Sequence, residues 1–366
     1  MRSSMLRAGL LGFPSVGKST LFQLLTSAHG APRPGQKADA NVGVSRVPDE
    51  RLDRLTALFN PKKRTPATVE FADLAAARVG TAQSLLDVAP FRNADALVHV
   101  LRLFRAEDVP HPKGSIDAAR DARAMEEEMI LADLGVAERR LERLDKDLKK
   151  GASPELRKEQ EIVTLCRETL EAGRPLRGLE LAPADLKRLR GFQFLSAKPL
   201  LLVLNVDEAD LGANRADRPA QSILTTMGGE AANIREVVVC AAIELEIGRL
   251  DAADAAAFLA DLGLAESGLD RVIRASYDLL GYISFFTVGE DECRAWSIPR
   301  GTAAQLAAGE IHSDIARGFI RAEVARYEDL IARGSIAACR DHGELRLEGK
   351  DYVVQDGDVI NFRFAT

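Results

Sequence analysis

Residues 12 to 19 read Gly12-Phe13-Pro14-Ser15-Val16-Gly17-Lys18-Ser19 and fit G-x-x-x-x-G-K-[ST]. This spacing is suited to holding a phosphate chain. The glycines let the backbone turn its N–H groups inward, Lys18 can reach the outer phosphates, and the Ser19 hydroxyl can ligate Mg²⁺. A helix opening near Lys18 adds its positive dipole end. The apolar run before the loop and "TLFQLLTSA" after it supply the strand and helix that such a loop requires. Gly12, Pro14, Ser15, Val16, Gly17, Lys18, Ser19 and Thr20 are therefore candidate nucleotide contacts, and Lys18 is the candidate catalytic residue.

A second cluster sits at the end of "LLLVLN". G proteins place N-K-x-D there and read guanine with the final carboxylate. In this chain the positions are Asn205-Val206-Asp207-Glu208, without the lysine and with a longer Glu in last place. That change weakens a guanine reading. Asn205, Val206 and Glu208 are the candidate base-framing residues.

These groups need a sheet to hold them. "MLRAGLLG", "TVEFAD", "DALVHVLR", "PLLLVLN" and "EVVVCAA" are short apolar runs. Nearly continuous Leu and Val imply strands covered on both faces, hence a parallel α/β sheet. Residues 113–190 break that rhythm. Leu134, Ala137, Leu141, Leu144 and Leu148 step by three and four. Leu156, Val163, Cys166 and Leu170 repeat the stripe after the Gly151 and Pro154 turn signals. The pattern predicts an antiparallel, coiled-coil-like helical hairpin inserted between the fourth and fifth strands. It carries 17 basic and 17 acidic residues. Even so, Arg139, Arg143, Lys146, Lys149 and Lys150 crowd its tip with Arg140, which suits either a solvated face or a phosphate-contacting patch.

From residue 281 the texture becomes mixed α+β. "YISFFTVG" and "CRAWSIPRG" read as strands, 317–334 as a helix, and 349–364 as a hairpin about Asp356-Gly357. The division expected is 1–112 with 191–280 for the nucleotide domain, 113–190 for the hairpin and 281–366 for a small C-terminal domain.

Bulk properties exclude other classes. Among 366 residues, 46% are apolar and 28% charged, with a net charge of −6. No apolar run is long enough to span a membrane, and no global basic field suggests sequence-specific DNA binding. The first residues read as a strand and not as a secretory leader. Cys166, Cys240, Cys293 and Cys339 are far apart and fit thiols in a reducing cytoplasm. His99 reads as a core histidine and Trp296 as a sheet residue. His312 reads as a structural or contact residue, and His29 and His111 as loop residues.

Several longer stretches carry a family resemblance: "GFPSVGKSTLF", "NVGVSRVPDERLD", "PATVEFAD", "LVHVLRLF", "NVDEADL", "VCAAIELEI", and "IHSDIARGFIRAEVARYEDLI" through "LRLEGKDYVVQDGDVINFRF". End to end, the chain resembles the Obg-like ATPase (YchF) family. The resemblance implies a P-loop NTPase G domain of the TRAFAC type, an inserted helical hairpin and a C-terminal β-grasp domain of the TGS type. It further implies ATP in preference to GTP, Mg²⁺ as cofactor, slow hydrolysis and ribosome binding. Ala241, in "CAAIE", falls where the family packs a loop against the base, and Asp73 where a carboxylate holds Mg²⁺ through water.

Two segments depart from that family. At the switch I threonine position stands Lys37, a donor unable to coordinate a cation. After Asp73, the glycine that meets the γ-phosphate is replaced by Ala76, followed by Ala77 and a shortened switch II. Loss of such contacts should lower the rate more than the affinity. Three readings stay open: a slow ATPase, an ATP-holding protein that docks without turnover, and a GTP-preferring variant.

Overall fold

The computed structural model describes residues 7–27, 41–73, 88–151, 153–211, 223–224, 227 and 233–365. The chain forms two compact units. One contains Arg7–Gly43 and Glu70–Leu279, the other Val44–Val69 and Leu280–Thr366.

The first unit is built on a six-stranded sheet, β1 (Arg7–Leu11), β2 (Asn41–Arg46), β4 (Thr68–Asp73), β5 (Ala96–Arg102), β6 (Leu200–Asn205) and β7 (Ile234–Val239), in the order β2-β4-β1-β5-β6-β7. β1 runs parallel to β4 and β5, β5 to β6, and β6 to β7. Every residue of β5 and β6 is buried, as the unbroken apolar runs predicted. The parallel register brings Leu11, Asp73, Arg102, Asn205 and Val239 to the carboxyl end of the sheet, where loops of such folds hold ligands. α1 (Lys18–Ser27) follows β1, while α6 (Ala241–Ile247), α7 (Ala252–Asp261) and α8 (Gly268–Leu279) follow β7.

The inserted hairpin is α3 (Ala118–Lys150) and α4 (Pro154–Glu171). Asp117 caps α3 by accepting from the Arg120 N–H, and Ser153 caps α4 through Leu156 N–H, with Pro154 in the first turn. The seam pairs Ala137, Leu141 and Leu144 with Ile162, Val163, Cys166 and Leu170. At its root Asp133 is fully buried. Its carboxylate accepts from Leu195 N at 3.0 Å, Ser196 N at 2.7 Å, Ser196 Oγ at 2.9 Å and Arg92 at 3.1 Å. After α5 (Pro183–Leu189) the chain enters β6.

The second unit centres on another six-stranded sheet, ordered β11-β10-β12-β8-β9-β3. Its strands are β3 (Lys63–Thr65), β8 (Tyr282–Thr287), β9 (Glu292–Pro299), β10 (Phe319–Arg326), β11 (Arg346–Glu348) and β12 (Asp358–Phe364). α2 (Glu50–Phe59), α9 (Ala304–Ile311), α10 (Ser313–Arg317), α11 (Tyr327–Arg333) and α12 (Ile336–Asp341) surround it. Three expectations are corrected here.

First, α2 and β3, between β2 and β4, belong with the C-terminal unit, whereas β2 and β4 themselves pair in the nucleotide sheet. β3 pairs in parallel with β9, and the Arg51 guanidinium on α2 donates to both Asp49 and Asp356 while lying 5.3 Å over the Phe286 ring. Second, 317–334 is not one helix. Its first half is β10, whose Ala322, Val324 and Ala325 are buried, and only 327–333 is helical. Third, Asp356-Gly357 does not close a local hairpin. β12 pairs instead with β10 and β8, and the segment before the turn makes a single bridge, Val353 to Ala303. Gly357 does adopt φ +91°, so the turn chemistry is real. Long-range pairing overrides the local signal in both cases.

Candidate nucleotide site

The 12–19 loop takes the backbone that its glycines allow. Gly12 has φ +143° and Gly17 +96°, with Ser15 also positive at +63°. A Cβ on Gly12 would meet the Val100 carbonyl oxygen at 2.5 Å, and one on Gly17 would meet Asn205 Nδ2 at 2.5 Å. Both glycines are thus required by conformation and by close approach. Pro14, Ser15 and Ser19 are exposed, Thr20 is half-buried at the opening of α1, and Val16 is buried beneath the loop.

The Lys18 side chain is buried, and its amine donates to the carbonyls of Gly12 at 2.7 Å and Phe13 at 2.6 Å. Burial pushes its pKa down to about 8, while the Asp73 carboxylate pulls the other way. Asp73 ends β4. Its own pKa is raised by burial and lowered in turn by Lys18. The cation and carboxylate named from sequence therefore lie within electrostatic reach of each other at the carboxyl end of the sheet, with Ser19 on the first turn of α1.

Asn205 links three segments of the site. Its Nδ2 donates to Val16 O at 3.0 Å, and its Oδ1 accepts from Ala241 N at 3.1 Å. Its own carbonyl accepts from Leu103 N and Phe104 N. The side chain ties the phosphate loop, the end of β6 and the start of α6 together, so it positions the loop. Val206 is buried and donates its N–H to Val239, which makes it part of the sheet scaffold as well. Asp207 accepts from the Arg105 N–H. Glu208 remains exposed on a one-turn helix beyond it. Burial raises the Cys240 thiol pKa, backbone N–H groups of Ile243 and Ala242 oppose this, and Glu208 and Asp207 add to the rise.

Four further features escaped motif reading. Arg102, almost fully buried, donates to the carbonyls of Phe104, Ala106 and Val109 and shapes the loop after β5. That loop places the Lys113 amine 5.0 Å over the ring of Phe13, inside the phosphate loop. His111 Nε2 lies 2.9 Å from Asp121 Oδ2, and His111 Nδ1 accepts from Lys113 N–H. Glu244 is buried and accepts from Gly268 N at 2.6 Å, closing α6 onto α8. An arginine ending the apolar run "ALVHVLR" was the available signal for Arg102, because a charged group is buried only when partnered.

The other side chains fall where expected. His99 is enclosed in β5, with neither ring nitrogen partnered among the described residues. Trp296 donates to Thr287 Oγ1 and packs beside Phe285. His312 caps α10 by accepting from Asp314 N–H. All four cysteines are buried and unbridged. Lys37, His29, Ala76 and Ala77 lie outside the described residues. Among the described residues, no helix is long and apolar enough to cross a membrane.

Known proteins match this arrangement along its whole length. Residues 282–365 match the family model YchF-GTPase_C, described as a protein of unknown function (DUF933). The "Ribosome-binding ATPase YchF" of Bacillus subtilis (strain 168) is 42% identical over 365 residues, covering 98% of this chain and 99% of that protein. "Obg-like ATPase 1" of Oryza sativa subsp. japonica is 35% identical, covering 99% of this chain and 93% of that one. The solved Schizosaccharomyces pombe YchF GTPase superposes with a TM-score of 0.86 at 28% identity, covering 98% of this chain and 97% of that one. With a phosphate loop on a parallel sheet and relatives matched from end to end, the chain belongs to the YchF (Obg-like ATPase) family of P-loop NTPases.

Proposed function

We propose that this chain is a Mg²⁺-dependent ATP hydrolase of low turnover whose nucleotide state governs docking on the ribosome. The observation that carries the nucleotide part is the clamp of Asn205 on Val16 and Ala241, which holds the phosphate loop around the buried Lys18 amine. The relatives' names, ribosome-binding ATPase and Obg-like ATPase, support the rest.

In this reading Lys18 turns from its two carbonyl partners to the β- and γ-phosphates. The exposed Ser19 hydroxyl and the Asp73 carboxylate suit Mg²⁺, Ser19 directly and Asp73 through water, since both are oxygen donors of the kind that hard cations take. The cation would neutralise charge developing on the transferred phosphoryl group. Val206 and Glu208, in place of the usual lysine and aspartate, favour adenine over guanine. Low turnover follows from Lys37 and Ala76 in the two switch segments.

Single-turnover hydrolysis with enzyme in excess over ATP and Mg²⁺ present, run beside Lys18→Ala, tests the reading. A rate that collapses in the variant supports it. A flat trace in the parent, alongside clear ATP binding, makes the chain a nucleotide holder. GTP displacing labelled ATP at lower concentration than ATP itself would reverse the base assignment.

A further inference from the structure

The charges of α3 are sorted along its outer surface. Arg139, Arg143, Lys146 and Lys150 are all exposed and spaced four, three and four residues apart. At about 100° per residue they fall within an arc of about 60° and extend along about 16 Å of the helix. Glu138 and Glu142, also exposed, occupy the neighbouring arc together with Lys149, and Asp145 at its far side accepts from Gln160 across the hairpin at 2.6 Å. Thus the insertion is neutral in sum, yet along its outer surface one arc carries cations alone and the next is mixed.

The fold does not need that basic edge. The seam is made by Ala137, Leu141 and Leu144. Arg140, which faces across the hairpin, is held by Glu159 at 2.7 and 2.8 Å. Of the four basic-edge residues, only Lys150 has an ion-pair partner among the described residues, Asp147 at 3.8 Å. Like charges at i,i+4 each destabilise a helix by about 0.2–0.5 kcal/mol, and Arg139/Arg143 and Lys146/Lys150 both have that spacing.

We infer that this edge is a docking surface for the phosphate backbone of RNA. This rests on the ribosome reading above and names the partner's chemistry. Between Arg139 and Lys150 the arc holds no aromatic or large aliphatic side chain. Protein interfaces draw their energy from such anchors, whereas a phosphate strand needs only a row of cations. The axial steps of about 4.5–6 Å between the charges are close to the spacing of successive phosphates on a strand. The row also occupies the last turns of a 33-residue helix, at least about 30 Å along its axis from its first residue.

The test is the quadruple variant R139Q/R143Q/K146Q/K150Q in the full chain, with E138Q/E142Q as the opposite-edge control. Gln is a good helix former, and circular dichroism with ATP binding checks the fold. Affinity for purified ribosomes is titrated between 50 and 200 mM KCl. The quadruple variant should bind at least tenfold more weakly, with a salt slope shallower by about 3, and total ribosomal RNA should compete with the parent. The control should bind as well as the parent or better. A quadruple variant that binds like the parent overturns the surface and leaves the ribosome reading standing. Loss of binding without competition by ribosomal RNA assigns the edge to an acidic protein and overturns the RNA inference. A parent that binds no ribosomes refutes the earlier reading. A plain RNA duplex in the same titration then decides the edge: stripe-dependent binding supports it, and no binding overturns it.

Discussion

Lys18 should take up a proton when a nucleotide binds. Its amine is buried against two carbonyls, and its pKa falls from 10.5 to about 8. That shift corresponds to about 3 kcal/mol of disfavour for the charged form. A polyphosphate needs the charged form and so restores the usual pKa. At pH 8 about half the molecules must gain a proton on binding, and affinity should fall about eightfold between pH 7.5 and 9, above the phosphate's own titration. Isothermal titration with a non-hydrolysable ATP analogue, at pH 8 in two buffers of different ionisation enthalpy, reads the uptake directly. In Lys18→Arg the cation stays charged throughout, so any remaining binding should lose this pH dependence. Binding heat independent of the buffer, together with constant affinity to pH 9, would refute the burial argument.

Three other outcomes follow from the same contacts. Asn205→Ala leaves Val16 O and Ala241 N without their partner, which should cost about 1–3 kcal/mol and weaken nucleotide binding at least tenfold, checked by thermal melt and a fluorescent ATP analogue. Burial, with the Lys18 charge adding, pushes His99 from 6.5 down to about 3; the unfolded chain takes up a proton that the folded chain refuses, so stability falls below pH 6.5 by about 1.4 kcal/mol per unit. His99→Leu should therefore shrink the stability difference between pH 7 and 5 by about 2 kcal/mol in urea unfolding, and an unchanged difference would exclude His99 as its source. Arg51→Met removes the bridge from Asp49 to Asp356; the pair is partly exposed, so the second unit should lose about 1–3 kcal/mol, read as a lower urea midpoint, with Asp356→Asn losing less.

The phosphate loop was legible because its requirements are local. Two glycines, a lysine and a strand-to-helix change fall within a dozen residues, and the unbroken Leu and Val of β5 and β6 announce burial on both faces. The seam of α3 and α4 was legible for the same reason. The failures share one cause. Residues 349–364 carry sound turn chemistry at Gly357, and 317–326 carry an apolar spacing that a helix could use, yet both are decided by pairing between β10 and β12. The α2 segment joins the C-terminal unit through Arg51 and Asp356, 305 positions apart. Within the site, the identity of Asn205 was readable, but its role depended on Val16 and Ala241, 189 and 36 residues away.

The overlooked residues nevertheless follow a rule that a sequence can express. Arg102, Asp133 and Glu244 are each charged, each buried, and each spent on backbone groups of a loop or helix end. None was a candidate ligand contact, but they hold the loop over Phe13, the root of the hairpin and the α6–α8 junction. A charge inside an apolar run survives only if the fold supplies partners. In a nucleotide-binding sheet the groups most in need of partners are the loop carbonyls and N–H groups at the carboxyl ends of the strands. Such a charge therefore marks the scaffold of the site in the same way that the glycines mark the site itself.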